Sequence, residues 1–491
     1  MKSVAIIGGG ITGLTAAFYL KRRGVPVTVY EAGGRVGGVI QSLRRDGYLA
    51  EFGPNTILET SPKIAALIRD AGLVARKLNP DPKAEARYVV RYGRPVAMPD
   101  SPLGFFTTDL FSLKAKLAVL REPFIAPRQD GVEESIAQFV TRRFNREFLD
   151  HAIDALVGGV YAGDPHKLSV THAFPKLKAL EDDYGSMIKG QIFGARARKK
   201  RGEVAKDRAP KFSFDEGLQV LPETLRAYLG DAVRLNTPVS KLVQTPDGWT
   251  LHLRANGGET QAEHGAVIFC GTAPRLAELS IELSALTGRA GSPLPAVAQP
   301  GSDGAYGVMR PIRKLDLSAF SEIRYPPVAS VVLGFRRADV AHPCVGFGML
   351  IPKIAGFHSL GTLFSSSLFP NRAPVGHLTL TTYVGGERCP ELALLPEGKL
   401  VALVCEDLRQ LLGLHGQPTF QHCVFYPQAI PQYNLGYGRF KELITQTEAQ
   451  APGFFLAGHY RDGVSLSDST VSGINVVERV VAGFQTSNAH E

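Results

Sequence analysis

The first turn of this chain constrains its fold more than any other stretch. A β-branched apolar run, Ser3-Val4-Ala5-Ile6-Ile7, leads into Gly8-x-Gly10-x-x-Gly13, and Leu14 to Leu20 follow at helical spacing. Strand, tight turn and helix in that order place a diphosphate at a helix N-terminus, where open N–H groups and the helix dipole favour an anion. Each glycine answers a mechanical need. Gly8 allows the turn, Gly10 lets backbone approach phosphate with Ile11 and Thr12 beside it, and Gly13 lets helix and strand pack closely. The same pattern also serves as a plain strand-to-helix connection, so its neighbours decide. The second strand, Val25 to Tyr30, ends on Glu31, 18 residues past Gly13, where a carboxylate takes ribose hydroxyls and disfavours a 2′-phosphate.

Next come Glu31-Ala32 and Gly33-Gly34-Arg35-Val36-Gly37-Gly38, then Glu51-Phe52-Gly53-Pro54-Asn55. A second glycine-rich loop with a guanidinium suits a cofactor held along its whole length. By this pattern the sequence resembles the flavin-dependent amine oxidase superfamily, whose Gly-Arg-x-Gly-Gly segment packs on FAD. The resemblance implies FAD held by Gly8, Gly10, Ile11, Thr12, Gly13, Glu31, Ala32, Arg35, Gly37, Gly38, Gly53, Pro54 and Asn55. It also implies that Val239 meets the adenine through its backbone. The closing run Gly458-His459-Tyr460-Arg461-Asp462-Gly463-Val464-Ser465-Leu466 reads as a loop entering a helix. Val464, Ser465 and Leu466 then bring a helix N-terminus to the flavin pyrimidine, where it stabilises negative charge.

With 491 residues, 44% of them hydrophobic, the chain has room for two or three well-filled cores. The five cysteines are scattered and form no Cys-x-x-Cys pair, which argues against disulfide or metal frameworks. Only Met1 and Lys2 precede the first strand, so no signal or transit peptide is expected. No apolar run approaches the roughly 18 residues of a spanning helix. A cytoplasmic protein is expected, either free or peripheral on the cytoplasmic face of a membrane. The net charge of +9 is concentrated in Arg196-Ala197-Arg198-Lys199-Lys200-Arg201, with Lys206, Arg208 and Lys211 behind. That segment lacks aromatic interleaving, which argues against nucleic acid and leaves a solvated loop or an anionic lipid surface.

The fold class read from these patterns is α/β (α+β overall), with three parts. A discontinuous Rossmann-like FAD-binding domain takes residues 1–80, 212–284 and 427–491. A strand-rich substrate-binding domain takes 81–98, which reads as a hairpin about Tyr92-Gly93, and 285–426. Residues 99–211 form a helical insertion whose aromatic-rich stretch, Leu103 to Phe111, either faces a membrane or caps an apolar cavity.

Gly163-Asp164-Pro165, Leu168-Ser169, Gly346 to Pro352, Leu360 to Ser366 and Thr381 to Gly386 narrow the resemblance. Together they look like the oxygen-dependent protoporphyrinogen oxidase family, over nearly the whole chain. The resemblance implies that Arg87 meets a substrate propionate while Leu350, Leu363 and Tyr383 clasp the macrocycle. Phenylalanine is common at the last position, so the Tyr383 hydroxyl needs a partner. It further implies porphyrinogen and dioxygen as reactants, with ferrochelatase, an anionic membrane or a second copy of the chain as partners. Hydride transfer to flavin N5, proton loss from a pyrrole and reoxidation by dioxygen need neither a catalytic side chain nor a metal. His151, His172 and His377 fall in no ligand spacing and read as structural. Two rivals stand: an amine or carotenoid oxidase of the same superfamily, and a prenyl-protein carrier sharing the fold without flavin. Nor is protoporphyrinogen IX separated from coproporphyrinogen III, although one arginine among apolar residues suits the less charged substrate.

Overall fold

The computed structural model describes residues 2–194, 209–255, 258–284 and 312–488. Five parallel strands, in the spatial order 233–234, 27–30, 4–7, 266–269 and 454–456, form the sheet that carries the first turn. Val4 to Ile7 pair with Val27 to Tyr30 on one side and with Ala266 to Phe269 on the other. Val4, Ala5, Ile6, Val29, Val267 and Ile268 are fully buried, as expected of a parallel sheet covered on both faces. The second strand begins at Val27, two residues later than the sequence suggests. Pro26 has no N–H for the ladder; its carbonyl instead accepts from Val4 N at 2.9 Å.

Both ends of the chain meet on this sheet. Helix Leu466–Asn488 lies along helix Ile11–Arg22, and Thr12 Oγ1 donates to Ser469 O at 2.9 Å. A Cβ on Gly473 would stand 2.4 Å from Thr12 O, so only glycine permits this approach.

A seven-stranded sheet has the order 420–426, 328–336, 377–385, 359–363, 348–350, 87–91 and 94–97. Its last two strands are the expected hairpin, Arg87–Arg91 and Arg94–Ala97, with Tyr92 and Gly93 both in the left-handed region that a two-residue turn requires. One face of the sheet buries Val331, Leu333, Phe335 and Met349 against Leu400, Val404, Leu408 and Leu411 of helix Glu397–Leu412. Each such side chain contributes roughly 1.5–3 kcal/mol.

Between the two sheets lies a layer of short helices. Within the expected helical insertion, residues 175–193 hold two helices: Gly185, in the left-handed region, ends one at Tyr184 and Ser186 caps another, Met187–Phe193. Val132 to Phe148 likewise divides into Ile136–Arg143 and Arg146–Phe148. Leu103 to Phe111 splits by environment: Leu110 and Phe111 are buried, whereas Leu103 and Phe106 are exposed. The basic run Arg196 to Arg201, with Lys206 and Arg208, lies outside the described residues. Among those residues no helix is long and apolar enough to cross a membrane.

Candidate functional site

The nucleotide turn is shaped for a ligand in one place and closed in the others. Gly8 has φ +111°, and a Cβ there would crowd the Cys270 backbone at 3.2 Å. A Cβ on Gly13 would meet Gly8 O at 2.1 Å, so helix and turn are in direct contact. Gly10 alone faces open space, with nothing within 4 Å of an added Cβ. No side chain caps helix Ile11–Arg22 and its first turn carries no acid, leaving the N-terminus to an external anion. These features fit a dinucleotide.

Glu31 stands just past the second strand, and its carboxylate accepts from Gly9 N and Gly33 N, both at 2.7 Å. It thereby holds the phosphate turn against the following loop, which Ala32 begins. Gly37 N donates to Gly9 O at 2.8 Å, and a Cβ on Gly38 would reach Gly10 Cα at 3.5 Å, so the two glycine-rich loops form one surface. Arg35 donates to Val36 O, Ile40 O and Gly38 O. Its guanidinium therefore sets the loop's own shape. Val239 opens strand Val239–Thr245, just beyond Thr237, whose N donates to Glu31 O at 2.9 Å. At the other end of the chain, Val464 precedes Ser465, which caps helix Leu466–Asn488 by accepting from Asp468 N at 3.1 Å. Asp468 puts a carboxylate in that first turn.

Register brings the four expected substrate residues together. Gly348 pairs with Arg87 and with Leu363, Leu350 with Val89 and with Gly361, and Gly361 with Tyr383. Directly opposite residues project to the same side, so Arg87, Leu350, Leu363 and Tyr383 share one face of the sheet. Gly348 and Gly361 leave that face low between the larger side chains. The guanidinium of Arg87 lies 5.9 Å from the Phe347 ring centre. Tyr383 Oη donates to Gly53 O at 2.7 Å and accepts from Asn55 Nδ2 at 2.8 Å. Its hydroxyl thus finds the partner that the substitution for phenylalanine demanded, on the loop where Pro54 lies between those two residues.

Further residues belong to this junction. Ser330 pairs with Tyr383, and its Oγ is buried without a hydrogen-bond partner. His422 lies two strands from Tyr383 with its ring 4.4 Å from Phe52. Glu51, 3% exposed, accepts from Ser42 Oγ at 2.6 Å and Leu218 N at 2.9 Å. No local signal marks Ser330 or His422, because their neighbours are set by strand pairing. Burial holds His459 of the closing segment down at about 4 and pushes the Tyr460 phenol well above its ordinary value. Both are neutral near pH 7, and among the described residues no cluster of His, Cys, Asp and Glu could hold a metal.

Comparison with known proteins gives the same assignment. Residues 11–481 match the family described as flavin containing amine oxidoreductase. The chain is 34% identical to protoporphyrinogen oxidase 2, chloroplastic/mitochondrial, of Arabidopsis thaliana, covering 99% of this chain and 95% of that protein. It is 29% identical to coproporphyrinogen III oxidase of Bacillus subtilis strain 168, covering 95% of each. A reduced UDP-galactopyranose mutase shares the fold, with a TM-score of 0.69 at 14% identity over 98% of this chain and 96% of that one. An open anion cradle joined to a strand-rich wall, together with a family match over nearly its whole length, shows that the chain belongs to the flavin containing amine oxidoreductase family and is an FAD-dependent oxidoreductase.

Proposed function

We propose that this enzyme oxidises protoporphyrinogen IX to protoporphyrin IX, removing six electrons in three rounds and reducing three dioxygen to three hydrogen peroxide. The observation that carries the reading is the shared sheet face of Arg87, Leu350, Leu363 and Tyr383, adjoining the loop of Gly53 and Asn55. Bound FAD supplies the two-electron acceptor and the route to dioxygen. The protein's part is to bind, orient and exclude water. Arg87 takes a propionate through its planar fork, while the two leucines and the Tyr383 ring cover the macrocycle. No side chain is required as a nucleophile.

Coproporphyrinogen III is the second reading, supported by relatives named for that substrate. Presenting both porphyrinogens to the holoenzyme and following porphyrin fluorescence and peroxide separates them; the proposal expects the larger kcat/KM for protoporphyrinogen IX, and preference for the tetracarboxylate overturns that choice. Arg87→Ala tests the binding role. A charge-assisted contact is worth roughly 1.5–3 kcal/mol, so kcat/KM should fall about ten- to a hundredfold, mostly through KM because the propionate is remote from the reacting bridge. Wild-type turnover by a fully flavinated Arg87→Ala enzyme excludes this arginine from the substrate site.

A cytoplasmic-face membrane location is proposed alongside. It is supported by the exposed Leu103, Phe106, Leu113, Leu117, Leu120 and Phe124 of the helical layer.

A further inference from the structure

Helix Asp154–Tyr161 crosses strands 348–350 and 359–363 with a bare surface. Asp154 and Gly158 lie one turn apart and Gly159 is adjacent, so the three share a side of the helix. A Cβ on Gly159 would stand 2.3 Å from Leu350 Cδ2, and one on Gly158 would stand 3.0 Å from Arg388 Nη2. The paired glycines therefore form a notch that seats Leu350 and Arg388 directly on the helix backbone.

The end of strand 348–350 is held there by charge. Asp154 Oδ2 accepts from Lys353 N at 2.6 Å and from Arg388 Nη2 at 3.2 Å, while Arg388 Nη1 donates to Ile351 O at 2.9 Å. The Arg388 side chain is only 7% exposed. Just outside lies a cavity of about 290 Å³ lined by Asp154, Lys353, Ile354 and Arg388 among others, so Lys353, unlike the fully buried Ile351, has no packing on that side.

We propose that Asp154 and Arg388 are positioning residues for the substrate wall: their clamp on Ile351 and Lys353 sets the depth at which Leu350 stands in the face it shares with Arg87, Leu363 and Tyr383. This rests on the reading of Leu350 as a substrate contact. One guanidinium joins a backbone carbonyl on the far side of Leu350 to a carboxylate of the helical layer, and neither residue lies in the strands that carry the shared face. The wall is thus aligned at this point by a polar link between two layers that elsewhere pack through apolar side chains such as Val89 against Leu110 and Ala155.

The test compares Asp154→Asn, Arg388→Lys, Gly159→Ala, Leu350→Ala and the double variant Asp154→Asn/Leu350→Ala as holoenzymes, each with its FAD content measured. Asp154→Asn and Arg388→Lys should each raise KM for protoporphyrinogen about five- to tenfold with kcat within about twofold, less than the loss of a direct charge-assisted contact because both act only through the position of Leu350. Gly159→Ala leaves every charge in place but displaces Leu350, and should also raise KM; it serves if Asp154→Asn does not fold. In the Leu350→Ala background, Asp154→Asn should add little, because both act through one side chain. A KM unchanged in Asp154→Asn or Gly159→Ala, or a fully additive effect in the double variant, overturns the positioning role. If Leu350→Ala itself leaves KM unchanged, the reading of Leu350 as a substrate contact fails instead.

Discussion

Tyr383 and Asn55 are hydrogen bonded between the seven-stranded sheet and the loop that follows strand 48–51, Asn55 Nδ2 donating to Tyr383 Oη at 2.8 Å. The same phenol donates to Gly53 O, so the substrate wall is pinned to the loop of the cofactor half by one side chain. Burial pushes the phenol well above its ordinary pKa, and it stays neutral throughout the physiological range. Tyr383→Phe keeps the ring and removes both bonds, while Asn55 Nδ2 retains its contact with Gly53 O at 3.2 Å. Urea unfolding should show a loss of about 1–2 kcal/mol with kcat/KM within about threefold of wild type. A tenfold fall in kcat/KM at unchanged stability would instead make the hydroxyl a substrate-binding group.

Glu31 organises the nucleotide turn by accepting from Gly9 N and Gly33 N. Glu31→Arg removes that tie together with the ribose acceptor and brings in a bulky cation, so FAD affinity should fall at least about tenfold, read by flavin fluorescence on titration. In wild type the flavin should be released to the supernatant on acid precipitation, since the grip is built from backbone and Glu31. Yellow colour that stays in the pellet contradicts noncovalent binding.

Burial raises Glu51 from its ordinary 4.5 to about 7, against the opposing pull of Ser42, of Arg372 3.8 Å away and of Leu218 N. The native carboxyl holds its proton more tightly than the unfolded chain's does, so the native state carries more protons between about pH 4.5 and pH 7. Stability is then lost as pH rises through that window, by a total of order 3 kcal/mol. Glu51→Gln lacks this titration. The unfolding free energy of wild type relative to Glu51→Gln should therefore decline from pH 4.5 to 7.5 and level off above; a constant difference means that Glu51 remains ionised in the fold.

The exposed apolar side chains of the helical layer supply a vesicle test. Leu103 is 75% and Phe124 87% exposed, and Lys114 and Arg121 lie in the segment between them. The protein should sediment with anionic vesicles and be partly released by salt, because surface attraction is screened within about 8 Å at physiological ionic strength. Leu103→Asp/Phe124→Asp should abolish sedimentation without changing FAD content. Equal sedimentation of that variant removes this face from the membrane contact.

Much of the cofactor half is legible in the linear chain. Gly8, Gly10, Gly13 and Glu31 work through backbone angles, a helix terminus and a strand end, all within about 25 residues, where local sterics and hydrogen bonding decide. The Tyr92-Gly93 turn is read for the same reason. Helix breaks are less legible: the division at Gly185-Ser186 depends on whether the chain has packing to continue into, and Leu110 and Phe111 part company with Leu103 and Phe106 only because one side of that stretch meets a core. The common face of Arg87, Leu350, Leu363 and Tyr383 depends on pairing between residues up to 261 positions apart, and a one-residue slip in any strand would turn its side chain to the other face. Family resemblance names those four residues; only the folded register makes them neighbours. The Asp154–Arg388 clamp and the burial of Glu51 had no trace in the sequence, since charge environment and desolvation arise when distant layers close on one another. The chain alone determined a nucleotide turn and the residue types for a flavin site, because those act locally. Tertiary structure decided which face the wall presents, what holds it at depth and which acids lose their water, because these are properties of packing between elements far apart in sequence.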